Sequence, residues 1–288
     1  MRNRWKSIIL GAVMSLMSLS AQSQTVHYEA ADSSFVCRML SEARQLPRTT
    51  NFVLFFANEL KGRPYVAHTL ELFDEERLIV NTRQLDCTTL VETVTALTLC
   101  AHRNLYTFRD FLNALMSLRY RGGRLDGYPS RLHYFSDWIA DKTAMGLVEE
   151  QQQNPPFTAV QTLDIHYMSR HPQAYRALQA HPEFVPLIAR QERALTGKQY
   201  RYLPKAELQD TELLRRTIRD GDIIAITCSK PGLDIAHLGF AVWQADGLHL
   251  LNASMIHKRV VLEPMTLRQY LQKHPSHTGI RIVRIHNE

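Results

Sequence analysis

Apolar residues are spaced differently before and after about residue 220. In the first part they recur at three- and four-residue steps: Leu90, Val94, Leu97 and Ala101 form one stripe, and Phe108, Phe111, Leu112, Leu115 and Leu118 another. Stripes of this kind place one side of a helix against a core. The spacing predicts helices over residues 34–47, 50–60, 86–102 and 108–118, the second ending at the turn Lys61-Gly62-Arg63-Pro64. Residues 65–72 and 78–82 read as short extended segments, and the glycine-bearing stretch 120–129 as a loop. Residues 130–139 read as a further helix, and 149–156, with its glutamines and Pro155-Pro156, as a linker or exposed loop. Short helices are expected over 172–180 and 183–196, each opening on a proline whose missing N–H costs little there. Beyond residue 220, β-branched and aromatic runs predict strands over 221–227, 237–243, 248–253, 259–262 and 279–285. Ala245-Asp246-Gly247 makes a hairpin turn between two of them, and one helix over 266–274 interrupts the set. Helices first and a mainly antiparallel sheet afterwards argue for an α+β fold.

The N-terminus departs from this texture. Arg2, Arg4 and Lys6 precede an uncharged apolar run from Ile8 to Leu19, and Ser20-Ala21-Gln22-Ser23-Gln24 follows. That order of basic, apolar and small-polar regions predicts a secretory signal peptide over residues 1–23, cleaved near Ala21 to Ser23, with an uncleaved anchor as the alternative. The apolar run is short for a membrane span, which needs about 20 residues. The mature protein is therefore expected to be exported, periplasmic or extracellular, without stable membrane insertion, and residues 24–288 to form a single domain. The 288-residue chain is 45% hydrophobic and 22% charged, so a packed core is expected and disorder is not. Its formal charge of +6 loses three basic residues and no acid with the leader. No run of lysine and arginine interleaved with aromatics marks a nucleic-acid groove, so no nucleic-acid partner is expected.

Cys87 is the chemically suggestive residue. With Asp86 as N-cap it opens the helix over 86–102, where unpaired N–H groups and the positive end of the helix dipole favour a thiolate. The competing reading makes it a small buried hydrophobe. Cys37, Cys100 and Cys228 lack metal-like spacing and leave at most one disulfide if Cys87 stays reduced. A cysteine nucleophile needs a base and a group to orient that base. Of thirteen histidines, His237 stands out because it opens the strand His237-Leu238-Gly239-Phe240, whose glycine leaves room for another backbone or a substrate. Counting back from the hairpin turn brings Asn252 near His237 on the partner strand, provided that the register holds. Asp222 and Asp234 read as turn residues. His166, His171 and the other histidines show no ligand spacing, so no metal and no cofactor are expected.

Gly62-Arg63-Pro64-Tyr65, Leu85-Asp86-Cys87-Thr88-Thr89 and Ala236-His237-Leu238-Gly239 resemble motifs of the NlpC-type, papain-like cell-wall hydrolases. Thr69-Leu70-Glu71, Asp86-Cys87-Thr88-Thr89-Leu90-Val91-Glu92 and the run from Ser130 to Trp138 resemble one branch, the N-acetylmuramoyl-L-alanine amidase-like family. The resemblance implies a papain-like fold with the cysteine helix packed on an antiparallel sheet. It implies Cys87 as nucleophile, His237 as base and Asn252 at the third catalytic position, where family members often carry histidine. Tyr65 matches a tyrosine near the nucleophile, with a core aromatic as the other reading. Arg131, His133, Tyr134 and Trp138 are candidates for substrate contact, Arg131 through a peptide carboxylate and the rings by stacking, or else part of a helix over the sheet. Residues 103–218, read as a mostly helical insertion, would wall the cleft. The expected partner is peptidoglycan fragments, cut at the muramoyl-L-alanine amide through a thioester. Cutting the stem peptide between D-glutamate and the diamino acid, or non-catalytic wall binding, are the alternatives.

Overall fold

Helix α3 (Cys87–His102) is buried around nearly its whole circumference, from Thr89 to Ala101. The computed structural model describes residues 26–286, and the predicted leader lies outside the described residues. Ahead of α3 come strand β1 (Val26–His27), helices α1 (Ala30–Ala43) and α2 (Phe52–Glu59), and β2 (Leu78–Ile79), which pairs in parallel with β1. After it come α4 (Phe108–Arg119) and α5 (Phe135–Ala144). The stripe Leu90, Val94, Leu97 and Ala101 covers only one side of α3, so its all-round burial brings polar groups inside. Glu92 is one of them, and Arg119 of α4 answers it with a 2.7 Å hydrogen bond.

The remaining elements are β3 (Val148–Gln151), β4 (Ala159–Thr162), α6 (Tyr167–Arg170), α7 (Arg176–Ala180), α8 (Val185–Leu195), β5 (Gln199–Pro204), α9 (Glu212–Thr217), β6 (Ile223–Cys228), β7 (Ile235–Gln244), β8 (Gly247–Ser254), β9 (Arg259–Leu262), α10 (Leu267–Gln272) and β10 (His277–Ile285). Eight strands form one antiparallel sheet in the order β4-β5-β10-β6-β7-β8-β9, with β3 also pairing to β10. Alternation along the strands gives the sheet two apolar faces. Ala225, Leu238, Phe240, Leu251 and Ala253 share a core with α1 to α5. Ile224, Ile226, Ala241, Leu248 and Leu250 share another with α9 and α10. The fold is thus α+β, with a central antiparallel sheet between helical layers.

Gly239 of β7 is required by the approach of β8: a Cβ there would meet Leu250 Cδ1 and Leu251 O, each at 2.7 Å. The space at this glycine is filled by another backbone.

Three local expectations need correction. Residues 149–156 are not simply a linker, because Val148–Gln151 pairs with β10 and Glu150 meets the fully buried Arg281 across the strands, Nη2 to Oε2 at 3.1 Å. Glu150, within the stretch read as a linker or exposed loop, serves a buried ion pair. The helix expected from residue 130 begins at Phe135, because Arg131 bridges to Tyr120 and the Leu132 amide donates to Arg119 O at 3.0 Å. Residues 103–218 are also less helical than expected, since they contribute β3, β4 and β5 to the sheet.

Candidate active site

Cys87 is the first residue of α3, and Asp86 closes the helix end with a reciprocal pair of bonds. The Thr89 amide donates to Asp86 Oδ1 at 2.8 Å, and the Asp86 amide donates to Thr89 Oγ1 at 2.9 Å. The cap makes a precise helix start and puts a carboxylate beside the thiol. Burial first and the Asp86 charge second push Cys87 up to about 12, against the Leu238 amide and Thr88, which favour the thiolate. The expectation of a thiolate favoured by the helix end is therefore corrected: the loss of water and the anionic cap raise the thiol above its ordinary value.

His237 lies near the start of β7. Phe240 pairs with Leu251, so alternation sets His237 and Asn252 on the same face of neighbouring strands, one diagonal step apart. His237 Nε2 lies 3.0 Å from Asn252 Oδ1. Asn252 Nδ2 donates to Leu250 O at 3.3 Å, which fixes the amide so that its oxygen faces the ring. His237 Nε2 must then carry the hydrogen, leaving the Nδ1 lone pair free. Burial, more than any other cause, lowers the His237 pKa below its ordinary value, which favours the neutral ring.

Cys87 and His237 line the same cleft, of about 220 Å³. Its walls include His133, Tyr134 and Phe135 from one segment and Asp234 from the loop before β7. Tyr65 sits close enough to feel both Cys87 and Asp86, and burial followed by those charges pushes it up to about 12, so its hydroxyl keeps its proton. Tyr270 of α10 was not singled out by sequence. Its ring centre is 6.5 Å from that of His237, and burial, then Glu263 and Cys87, push its hydroxyl up to about 12. Only the apolar spacing of Leu267, Tyr270 and Leu271 marked it, and that spacing reads as core. Asp234, read as a turn residue, faces the cleft while accepting the Ser136 amide at 2.6 Å.

The other candidates divide. His133 lines the cleft, its Nε2 is 3.1 Å from Tyr128 O, and burial with the nearby Arg131 drives its pKa down to about 3. Tyr134 lines the cleft too, but its hydroxyl is engaged, donating to Glu192 Oε1 at 2.7 Å and accepting from the Met168 amide at 3.0 Å. Arg131 is buried outside the cleft lining, over the Tyr128 ring, with Glu76 at 3.7 Å and Glu71 at 3.8 Å. Its charge is met within the protein. Trp138 belongs to the main core, 1% exposed and stacked on Phe135, so its expected stacking on substrate is corrected. Apolar helix packing accounts for it. The four cysteines are free thiols. Among the described residues, no group of three or more histidine, cysteine or carboxylate side chains could hold a metal ion.

Among curated proteins no relative matches. An N-acetylmuramoyl-L-alanine amidase from Bacteroides uniformis superposes with a TM-score of 0.76 at 40% identity, covering 82% of this chain and 97% of its own. A candidate xylanase from Bacteroides fragilis gives 0.74 at 41% identity, covering 80% and 99%. A Legionella pneumophila protein that is 20% identical gives 0.67 over 88% and 94% of the two chains, a likeness of fold alone. The family model described as AmiA-like, N-acetylmuramoyl-L-alanine amidase-like, matches residues 55–280. That match spans most of the chain and holds the cysteine helix and the histidine strand together, and the chain belongs to this amidase-like family of hydrolases.

Proposed function

We propose that this protein is an exported cysteine amidase of the NlpC-type, papain-like class, hydrolysing the amide between the muramic acid lactyl group and L-alanine in peptidoglycan fragments. Residues 24–288 act as one domain, with 103–218 supplying the cleft walls. The observation that carries the reading is the Asn252–His237 hydrogen bond at 3.0 Å beside a cleft that also contains Cys87 at a helix start.

The chemistry follows from the protonation states. Cys87 is a thiol and His237 a neutral imidazole at rest, so the thiol gives its proton to Nδ1 as sulfur bonds to the carbonyl carbon. The backbone N–H of Cys87 and the protonated Tyr65 hydroxyl are donors for the oxyanion. The C–N bond breaks as His237 returns the proton to the leaving L-alanine nitrogen. Water, deprotonated by His237, then cleaves the thioester, releasing the lactyl carboxylate and restoring the thiol. Asn252 holds the ring in the working tautomer throughout, without the charge that an aspartate would offer to the imidazolium.

A carboxylate mechanism, suggested by the name of the B. fragilis neighbour, calls for a pair of acids across the cleft. The cleft lining has Asp234 as its carboxylate, already bonded to the Ser136 amide. Mass spectrometry of products from a defined muropeptide tests the proposal. The amidase releases an intact stem peptide beginning with L-alanine, and Cys87→Ala releases none. Cleavage inside the stem would instead identify an endopeptidase. Absence of any product from the wild type would leave wall binding without catalysis.

A further inference from the structure

A second cavity, of about 470 Å³, opens at the far end of β7, lined by Trp243, Leu248 and Leu208 with Asp210, Asp246, Arg268, Gln269 and Gln272 around them. Its size falls within the roughly 300–1,000 Å³ usual for small-ligand sites. Trp243 lies six positions beyond His237 along β7, about 20 Å at ~3.3 Å per residue, and the cavity and the catalytic cleft share no lining residue.

The lining combines an aromatic floor with planar polar groups at the rim. Trp243 is held in place by its Nε1 bond to Ile218 O at 2.8 Å and by the Arg215 guanidinium 4.5 Å from the ring centre. Arg215 is itself fixed by Asp210 through bonds of 2.6 and 2.7 Å. The indole is thus a rigid surface needing no ordering on binding. Around it stand the acceptors Asp210 and Asp246 and the donors Arg268, Gln269 and Gln272. Among the described residues no hydrogen bond engages the side chains of Arg268 or Gln272, and Gln269 uses only its Oε1, on the Thr266 amide. Donors with free N–H groups, carboxylates held in place by Arg215 and by His249 with lone pairs to spare, and an apolar plate suit a ring with one C–H face and an edge of hydroxyls. Asp210 is answered by Arg215 and Asp246 is matched in charge by the lining Arg268, so the charges balance and a neutral ligand fits.

We infer that this cavity is a saccharide-binding subsite, taking a neutral, hydroxyl-rich sugar ring of the N-acetylhexosamine class stacked on Trp243. A site about 20 Å along β7 from His237 would hold glycan without occupying the cleft. The choice of an N-acetylhexosamine rests on the amidase reading, and the binding test can fail while the product test of that reading succeeds.

Calorimetric titration of the full chain with the N-acetylglucosamine trimer tests it, alongside a maltotriose control. Saturable binding of the N-acetylated trimer is expected, weakened at least about tenfold by Trp243→Ala. The double variant Arg268→Ala/Gln272→Ala leaves the packed residues intact and is expected to weaken binding about fivefold or more. The same double variant should hydrolyse a small soluble muropeptide at the wild-type rate. Absence of trimer binding at millimolar concentration, or binding that survives in both variants because it occurs in the cleft, overturns the inference.

Discussion

Asn252 orients His237 from the neighbouring strand: its side-chain nitrogen is tied to Leu250 O, and its oxygen therefore accepts from Nε2 at 3.0 Å. A neutral amide fixes the tautomer of the ring without lending it negative charge.

Removing that orienter by Asn252→Ala should lower kcat/KM by about 10²-fold with KM little changed, a magnitude typical of lost general-base positioning. Asn252→Asp should retain more activity than Asn252→Ala and move the acid limb of the pH–rate profile upward, because a carboxylate stabilises the imidazolium. Steady-state kinetics over pH 4.5–8.5 check both. Equal losses in the two variants, with no movement of the limb, would remove the orienting role.

The protonation states make a second prediction. With Cys87 pushed up to about 12 by burial and Asp86, its free thiolate at pH 7 is a fraction on the order of 10⁻⁵. Alkylation by iodoacetamide should therefore climb about tenfold per unit between pH 6 and 9. Asp86→Asn should speed it at fixed pH by removing the adjacent negative charge. A rate that is already flat across neutral pH would indicate a preformed thiolate–imidazolium pair.

Histidine burial should also shape acid stability. His133 is driven down to about 3 and His277 to about 4, chiefly by burial, while the unfolded chain protonates near 6.5. A folded-state pKa below the unfolded value means that the unfolded state binds more protons in this window, so stability rises with pH there. The contribution is complete above about pH 6.5 and is lost as pH falls towards 4 and then 3. Urea unfolding at pH 7.5, 6 and 4.5 should show a falling midpoint, and His277→Gln should flatten the lower part of the fall. A midpoint independent of pH over this range would contradict the assignment.

Between α3 and α4, Glu92 and Arg119 form a buried pair, and Arg119 Nη1 also donates to Ile79 O at 2.5 Å. Arg119→Met alone should destabilise the fold by about 3–5 kcal/mol because it strands the Glu92 charge, whereas Glu92→Leu/Arg119→Met should recover most of the loss. Chemical denaturation of the single and double variants decides this. A double variant as weak as the single one would show that the pair contributes more than mutual neutralisation.

Much of this architecture was legible because it depends on local spacing. The stripe from Leu90 to Ala101 announced α3, and the alternation around Ala245-Asp246-Gly247 located the β7–β8 hairpin that brings Asn252 to His237. What spacing could not show was long-range pairing. Glu150 falls in a stretch that reads as a linker or exposed loop, yet Arg281 meets it across the sheet, and Arg131, a candidate for a peptide carboxylate, has Glu71 and Glu76 beside it. Tyr270 approaches the cleft through the fold, from a helix 33 residues beyond His237, with nothing local to mark it. Sequence left Cys87 open between a helix-end thiolate and a buried thiol, because desolvation of the sulfur is a tertiary property.

The central claim is that Cys87 attacks the muramoyl carbonyl, and the covalent intermediate tests it most directly. Wild-type protein mixed with a defined muropeptide, acid-quenched within milliseconds and digested, should yield the Cys87-containing peptide carrying the sugar-lactyl acyl group as a thioester. The free stem peptide should appear in the same burst. An adduct composed of stem-peptide mass, an adduct on another residue, or product formation that persists in Cys87→Ala would contradict the account.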